Sequence, residues 1–174
     1  MLAGLALAAA PLGLADSSSF SDPRGDLDPT GPDRPSDRYD LVRATQGHTR
    51  SGRIVHTVTV AGDIANPASE EVPFLLIEDP ERPSGTQDCR YFVGRHEGRL
   101  GVFTCGYGQR VASARIRRTS AHTVRYEFSP RAIDDPARYD WAFVAFASVT
   151  GTRAWIDRLP NGGGGHGLLR HDLR

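Results

Sequence analysis

Short stretches of alternating apolar and polar residues recur along the chain, separated by turn residues about every ten positions. From Arg53 to Ala61, Ile54, His56, Val58 and Val60 share one side and Val55, Thr57 and Thr59 the other, the period-two pattern of a strand. Arg38 to Thr45 is a weaker strand, and Val72 to Glu78 is a short apolar run with Pro73 near its start, where a missing donor is tolerated. Val111 to Arg117 and Thr123 to Phe128 read as a hairpin turning at Thr119 to His122, with Arg125 and Glu127 on a wet face. After Pro130 a short helical or turn segment, Arg131 to Ala137, precedes Tyr139 to Val149. Both faces of that strand are mainly apolar (Tyr139, Trp141, Phe143 and Ala145 against Ala142, Val144 and Phe146), which predicts a central position. Gly167 to Arg170 closes the chain as an edge strand, after the glycine run Gly162 to Gly165. No long stretch carries a helical period. The pattern predicts an all-β, two-sheet antiparallel sandwich of jelly-roll-like type.

Two apolar runs, Arg90 to Gly94 and Leu100 to Thr104, flank His96-Glu97-Gly98-Arg99. Centred on Glu97, this hairpin sets Cys89 opposite Cys105, Tyr91 opposite Phe103 and Val93 opposite Gly101. A cross-strand cysteine pair is a disulfide if the chain is exported, and two buried thiols otherwise.

The N-terminus bears on export. Leu2 to Leu14 is apolar or small throughout, and Gly13-Leu14-Ala15 supplies small residues before a cut at Asp16. The stretch is too short to span a bilayer as a stable helix, and it lacks the polar face and cap of a buried one. Residues 1–15 are therefore expected to be a signal peptide, 16–37 an acidic lead-in rich in Pro and Gly, and 38–174 the sandwich. The location expected is secreted or cell envelope, with no membrane span in the mature form.

At 174 residues the chain can bury one sizeable core. Its formal net charge of zero removes the simplest argument for nucleic acid as partner. The sequence contains no Lys, which excludes Schiff-base chemistry. There is no Gly-x-Ser-x-Gly elbow, no His-Glu-x-x-His and no phosphate-binding Gly loop, and the six histidines show no chelating spacing. A non-catalytic protein is expected.

Two constellations remain. Asp22, Asp26, Asp28, Asp33 and Asp37 fall among Gly25, Gly31 and several prolines. Calcium takes six to eight oxygen ligands, which such a kinked loop can supply, so the segment is either a calcium loop or a solvated acidic leader. Trp155 follows the central strand and precedes the glycine run, where exposure is expected and its ring could stack on a sugar. Trp141, mid-strand, is expected to be core.

Asp22-Pro23-x-Gly25-Asp26, Tyr139-x-Trp141-x-Phe143-Val144 and Asp157-x-x-Pro160-Asn161-Gly162 together resemble the secreted DOMON-like modules related to family 9 carbohydrate-binding modules. The resemblance implies a two-sheet sandwich that binds sugars or haem, often beside bound calcium. The calcium set it points to is Asp22, Asp26, Asp28 and Asp157, provided the acidic loop and Asp157 converge in space. Two features depart from the family. Sugar-binding members use paired tryptophans, whereas only Trp155 is expected to be exposed here. Met/His haem ligation is ruled out because the sole Met is Met1, whereas a bis-His site stays open, with nothing in the sequence to place two histidines on facing positions. The expected function is a binding module for carbohydrate or another cell-surface ligand; the alternative is a structural envelope domain that contacts other proteins by its edges.

Overall fold

A computed structural model describes residues 15–26, 37–64, 66–67, 72–78, 89–149, 152–160 and 168–173. Among the described residues, twelve strands form two antiparallel sheets packed face to face. The first sheet has the order β1-β2-β3-β9-β8, from Ala15–Ser21, Leu41–His48, Ile54–Val60, Thr123–Phe128 and Arg115–Arg118 respectively. The second runs β11-β10-β4-β5-β6-β7, from Thr152–Leu159, Arg138–Val149, Phe74–Glu78, Tyr91–His96, Arg99–Thr104 and Arg110–Ala112. Strand β12 (Leu169–Asp172) pairs with the first part of β10, and β11 with the rest. Two 3-10 turns, Asp37–Tyr39 and Pro130–Ile133, complete the described elements. No helix among the described residues is long and apolar enough to cross a membrane.

The alternation read from the sequence sets the core. Ile54, Val58 and Val60 from β3 and Val124, Tyr126 and Phe128 from β9 meet Leu75 and Ile77 from β4 and Tyr139, Trp141 and Phe143 from β10. β10 is central, bordered by β4 on one side and by β11 and β12 on the other, and Tyr139 to Phe143 are buried except for half-buried Asp140.

Polar side chains tie the layers together. The Tyr139 hydroxyl lies 2.7 Å from His56 Nε2 and 2.7 Å from His171 Nδ1. With one proton to give, it donates to one ring and accepts an N–H from the other, which requires the accepting imidazole to be neutral. Burial, aided by neighbouring His171, holds the His56 pKa well below the usual range. Trp141 Nε1 donates to Gln46 Oε1, and Gln46 Nε2 donates to the Arg170 carbonyl at 3.0 Å, connecting β10, β2 and β12.

Four expectations are corrected. The hairpin between β5 and β6 pairs Tyr91 with Thr104, Phe92 with Phe103 and Val93 with Val102, one residue away from the register expected. Both Glu97 (φ 47°) and Gly98 (φ 77°) are left-handed, so the loop is a two-residue primed turn centred between them, not on Glu97. Cys105 accordingly lies beside Arg90, its N–H donating to that carbonyl at 3.0 Å. The bond between Cys89 and Cys105 still forms across this offset, with Cα atoms 5.9 Å apart. Second, β1 occupies Ala15–Ser21, where composition reads as signal segment and irregular lead-in. Its serines have little strand propensity, and pairing to β2 supplies what the local sequence lacks. Third, the segment expected as one strand from Val111 divides at Ser113-Ala114, with β7 joining the second sheet and β8 the first. Fourth, the stretch between the central strand and the glycine run, read only as following that strand, is itself a full strand, Thr152–Leu159, with the Trp155 backbone opposite Phe146.

The disulfide closes a loop across 16 residues of sequence. Replacing both cysteines by serine is expected to cost about 2–4 kcal/mol, read as a lower midpoint in denaturant. A midpoint unchanged by the double substitution, or two alkylatable thiols in the unreduced protein, would contradict this.

Candidate metal centre

Four carboxylates from three stretches of chain meet where the first strands leave the sheet. Asp22 follows β1, and its N–H donates to the Val42 carbonyl at 3.0 Å, which holds the chain against β2 as it turns away. The turn Arg24-Gly25 has Gly25 at φ 78°, a conformation that glycine adopts without strain, and it brings Asp26 back toward Asp22. Asp40 lies between the first 3-10 turn and β2, and its Oδ2 accepts the Gly25 N–H at 2.9 Å. Asp157 comes from β11 in the other sheet. Its Oδ2 accepts from Leu41 N at 2.6 Å and its Oδ1 from Arg158 N at 2.7 Å, clamping the start of β2 to β11.

One carboxylate oxygen from each of Asp22, Asp26 and Asp157 lies within 4.8 Å of the others. Calcium–oxygen distances of about 2.3–2.6 Å place two ligands of one ion at most about 5 Å apart, so the spacing fits a shared calcium. Asp157 is 2 % exposed and Asp40 4 % exposed, while Asp22 is half-buried and Asp26 open to solvent. Asp40 Oδ1 is buried without a hydrogen-bond partner.

The electrostatics show that the carboxylates are crowded. Burial, then the charges of Asp26, Asp157 and Asp40, push the Asp22 pKa up to about 7. Burial pushes Asp157 up to about 6 against the opposing pull of the Leu41 and Arg158 N–H groups, with Asp26 and Asp40 adding to the rise. Asp40 is raised mainly by burial, opposed first by the Gly25 N–H. A divalent cation would remove this mutual repulsion and favour the ionised forms. The donor set is all oxygen and hard, which suits calcium and offers nothing to a thiophilic metal.

Of the residues expected at the site, the structure brings Asp22, Asp26 and Asp157 together, and Asp28 lies outside the described residues. Asp40 was not anticipated. It stands at the head of a strand, past the Pro- and Gly-rich stretch that marks a loop, and its only signal was proximity to Asp37. Trp155 is placed by its backbone in β11, two positions before Asp157, and its side chain lies outside the described residues. Three histidines scattered in sequence also converge, the His171 ring lying 5.9 Å from His56 and 6.4 Å from His48, but they form no group with ligand atoms close enough to share an ion.

No family model matches the chain, and no curated protein or solved structure matches it.

Proposed function

We propose that this chain is an exported, non-catalytic β-sandwich module that recognises carbohydrate or another cell-surface ligand and carries a structural calcium ion. The observation that carries the reading is the convergence of Asp22 and Asp26, which follow β1 of one sheet, with Asp157 from β11 of the other. Three carboxylates held this closely, with Asp40 buried behind them, raise the free energy of the fold unless a cation compensates. The same acidic opening and closing motifs contribute to the resemblance to DOMON-like and family 9 carbohydrate-binding modules, which bind sugars or haem, often beside bound calcium. The disulfide supports export, because such bonds persist in oxidising compartments.

Carbohydrate recognition is assigned to Trp155 on β11, two residues from the calcium ligand Asp157. Trp155→Ala is expected to weaken retention on insoluble polysaccharide about tenfold or more, since aromatic stacking surfaces dominate such contacts. The melting temperature should stay close to that of the parent. Destabilisation without any polysaccharide binding by the parent would make Trp155 a packing residue and move a structural envelope role ahead.

A further inference from the structure

The outward face of the five-stranded sheet carries a second feature that the calcium site does not use. Inward positions on these strands are occupied by core residues, among them Ala44, Ile54, Val58, Ile116, Val124, Tyr126 and Phe128. The alternate positions therefore face out. Register sets Arg117 directly opposite Arg125, Arg125 opposite Thr57, Thr57 opposite Thr45 and Thr45 opposite Ser19, one row across all five strands. The neighbouring row runs Thr123, Thr59, Arg43, Ser21. Arg115 and Arg53 extend the positive charge beside Glu127, which is the only acidic residue among the described outward positions of β2, β3, β8 and β9.

Like charges directly across a sheet are destabilising, so the Arg117–Arg125 pair is a cost to the fold. Arg125 reaches Glu127 with one nitrogen at 3.4 Å, but its Nε and that of Arg117 are both buried without a hydrogen-bond partner. Arg43 and Arg115 are exposed and Arg117 is half-buried, whereas Arg125, expected on a wet face, is buried beneath its neighbours. The chain is neutral as a whole, so the arginines on this face are balanced by acidic residues elsewhere in the chain. Hydroxyls lie between the guanidiniums, with Thr45 Oγ1 2.6 Å from Thr57 Oγ1 and Thr59 Oγ1 3.0 Å from Thr123 Oγ1.

We propose that this face is a second binding surface and that its ligand is an anionic polysaccharide, lying across the strands with its acid groups on Arg43, Arg115 and Arg117. The inference rests on the proposed carbohydrate reading, and it names a surface on the sheet opposite to that of Trp155. Planar guanidiniums take carboxylate or sulfate oxygens in pairs, and the threonine hydroxyls can exchange hydrogen bonds with sugar hydroxyls. The chemistry of the face argues against other polyanions. Single-stranded nucleic acid is held by aromatic stacking, and a lipid surface by apolar insertion, while the described outward positions offer Arg, Thr, Ser, Gly, Glu and the single buried Val55.

The test is retention of the calcium-loaded, full-length protein on polygalacturonate, on dextran sulfate and on neutral dextran. Retention on at least one anionic matrix at low salt, released by about 0.5 M salt where screening shortens to a few ångströms, is expected. Combining Arg43→Gln, Arg115→Gln and Arg117→Gln should weaken that retention about tenfold or more, since several favourable charges are lost together. The melting temperature should hold or rise, because Arg117→Gln relieves the repulsion with Arg125. The carboxylated and sulfated arms identify which acid group the surface takes. Equal retention on dextran and the charged matrices, or a triple variant that binds within about twofold of the parent, overturns the proposal. So does displacement by duplex DNA at a lower concentration than by the free polysaccharide. Binding to neutral glycan that depends on Trp155 and ignores the arginines removes this surface but leaves the proposed function standing. Failure to bind any polysaccharide removes both.

Discussion

If the proposed calcium site is filled, chelator is expected to lower the melting temperature by about 5–10 °C, and calcium in hundredfold excess over its Kd should restore it. A ligand at that excess stabilises the fold by about 2.7 kcal/mol, and each kcal/mol moves the midpoint of a chain this long by about 2–4 °C. The pH dependence gives the test a sign. Asp22 and Asp157 have folded pKa values raised to about 7 and about 6, so between these values and the usual carboxylate range the folded state holds protons that the unfolded chain has released. Without the cation, these two groups make the fold more stable as pH falls from about 8 toward 4. Protons and calcium compete for the same oxygens, so the calcium-induced rise should be largest at about pH 8 and shrink toward about pH 5. His56 works in the opposite direction. Its depressed folded pKa means the unfolded chain takes up the proton first, so stability falls as pH drops below about 6.5. That contribution is common to both conditions, and the difference between the calcium and chelator curves isolates the carboxylates. Asp26→Asn makes the case sharper. Removing one exposed charge should raise the melting temperature in chelator and diminish the response to calcium. Melting curves indifferent to both treatments between about pH 6 and 8 would leave the acidic corner without a cation role.

Trp141→Ala should be among the most damaging single substitutions, at about 3–5 kcal/mol. Its ring is fully buried and meets His56 at 4.5 Å, Phe20 at 5.6 Å and Phe143 at 5.7 Å, all edge-on. Those partners come from β3, β1 and β10, so the cavity would open between the layers. The indole N–H is also the donor to Gln46 Oε1, and its loss leaves that buried oxygen without its donor. Denaturant unfolding in saturating calcium would read the loss as a lower midpoint with little change in slope. Trp141→Phe keeps most of the ring and should recover more than half of the difference. A cost under about 1 kcal/mol for the alanine variant would mean that the ring does not anchor the two sheets.

Strand periodicity carried much of the fold into the sequence. Ile54, Val58 and Val60 alternate because one face of β3 must be buried, and Tyr139, Trp141, Phe143 and Ala145 are apolar because they form the face of β10 that joins the same core, in a strand with neighbours on each side. The two cysteines were legible for a related reason, since a hairpin brings residues equally far from its turn together. The turn itself was decided by backbone conformation. Two consecutive left-handed residues shifted the register by one, a difference that composition does not encode.

Local pattern failed where pairing was long-range. β1 has the composition of a loop and becomes a strand because β2 offers it an open edge. Val111 to Arg117 alternates as one strand, yet divides between sheets because the sandwich turns a corner at Ser113-Ala114. Asp22 and Asp26 could be singled out by their spacing. Asp40 could not, and the meeting of that group with Asp157 depends on sheet order, which joins residues 116 positions apart through the Leu41–Asp157 hydrogen bond. The positive face has the same origin. Arg43, Arg117 and Arg125 look like scattered charges in a neutral chain, and only the registers of β2, β3, β9 and β8 place them on one surface. Which residues are apolar, and with what period, is a one-dimensional property. Which charges meet is a property of strand pairing, and only the tertiary structure decides it.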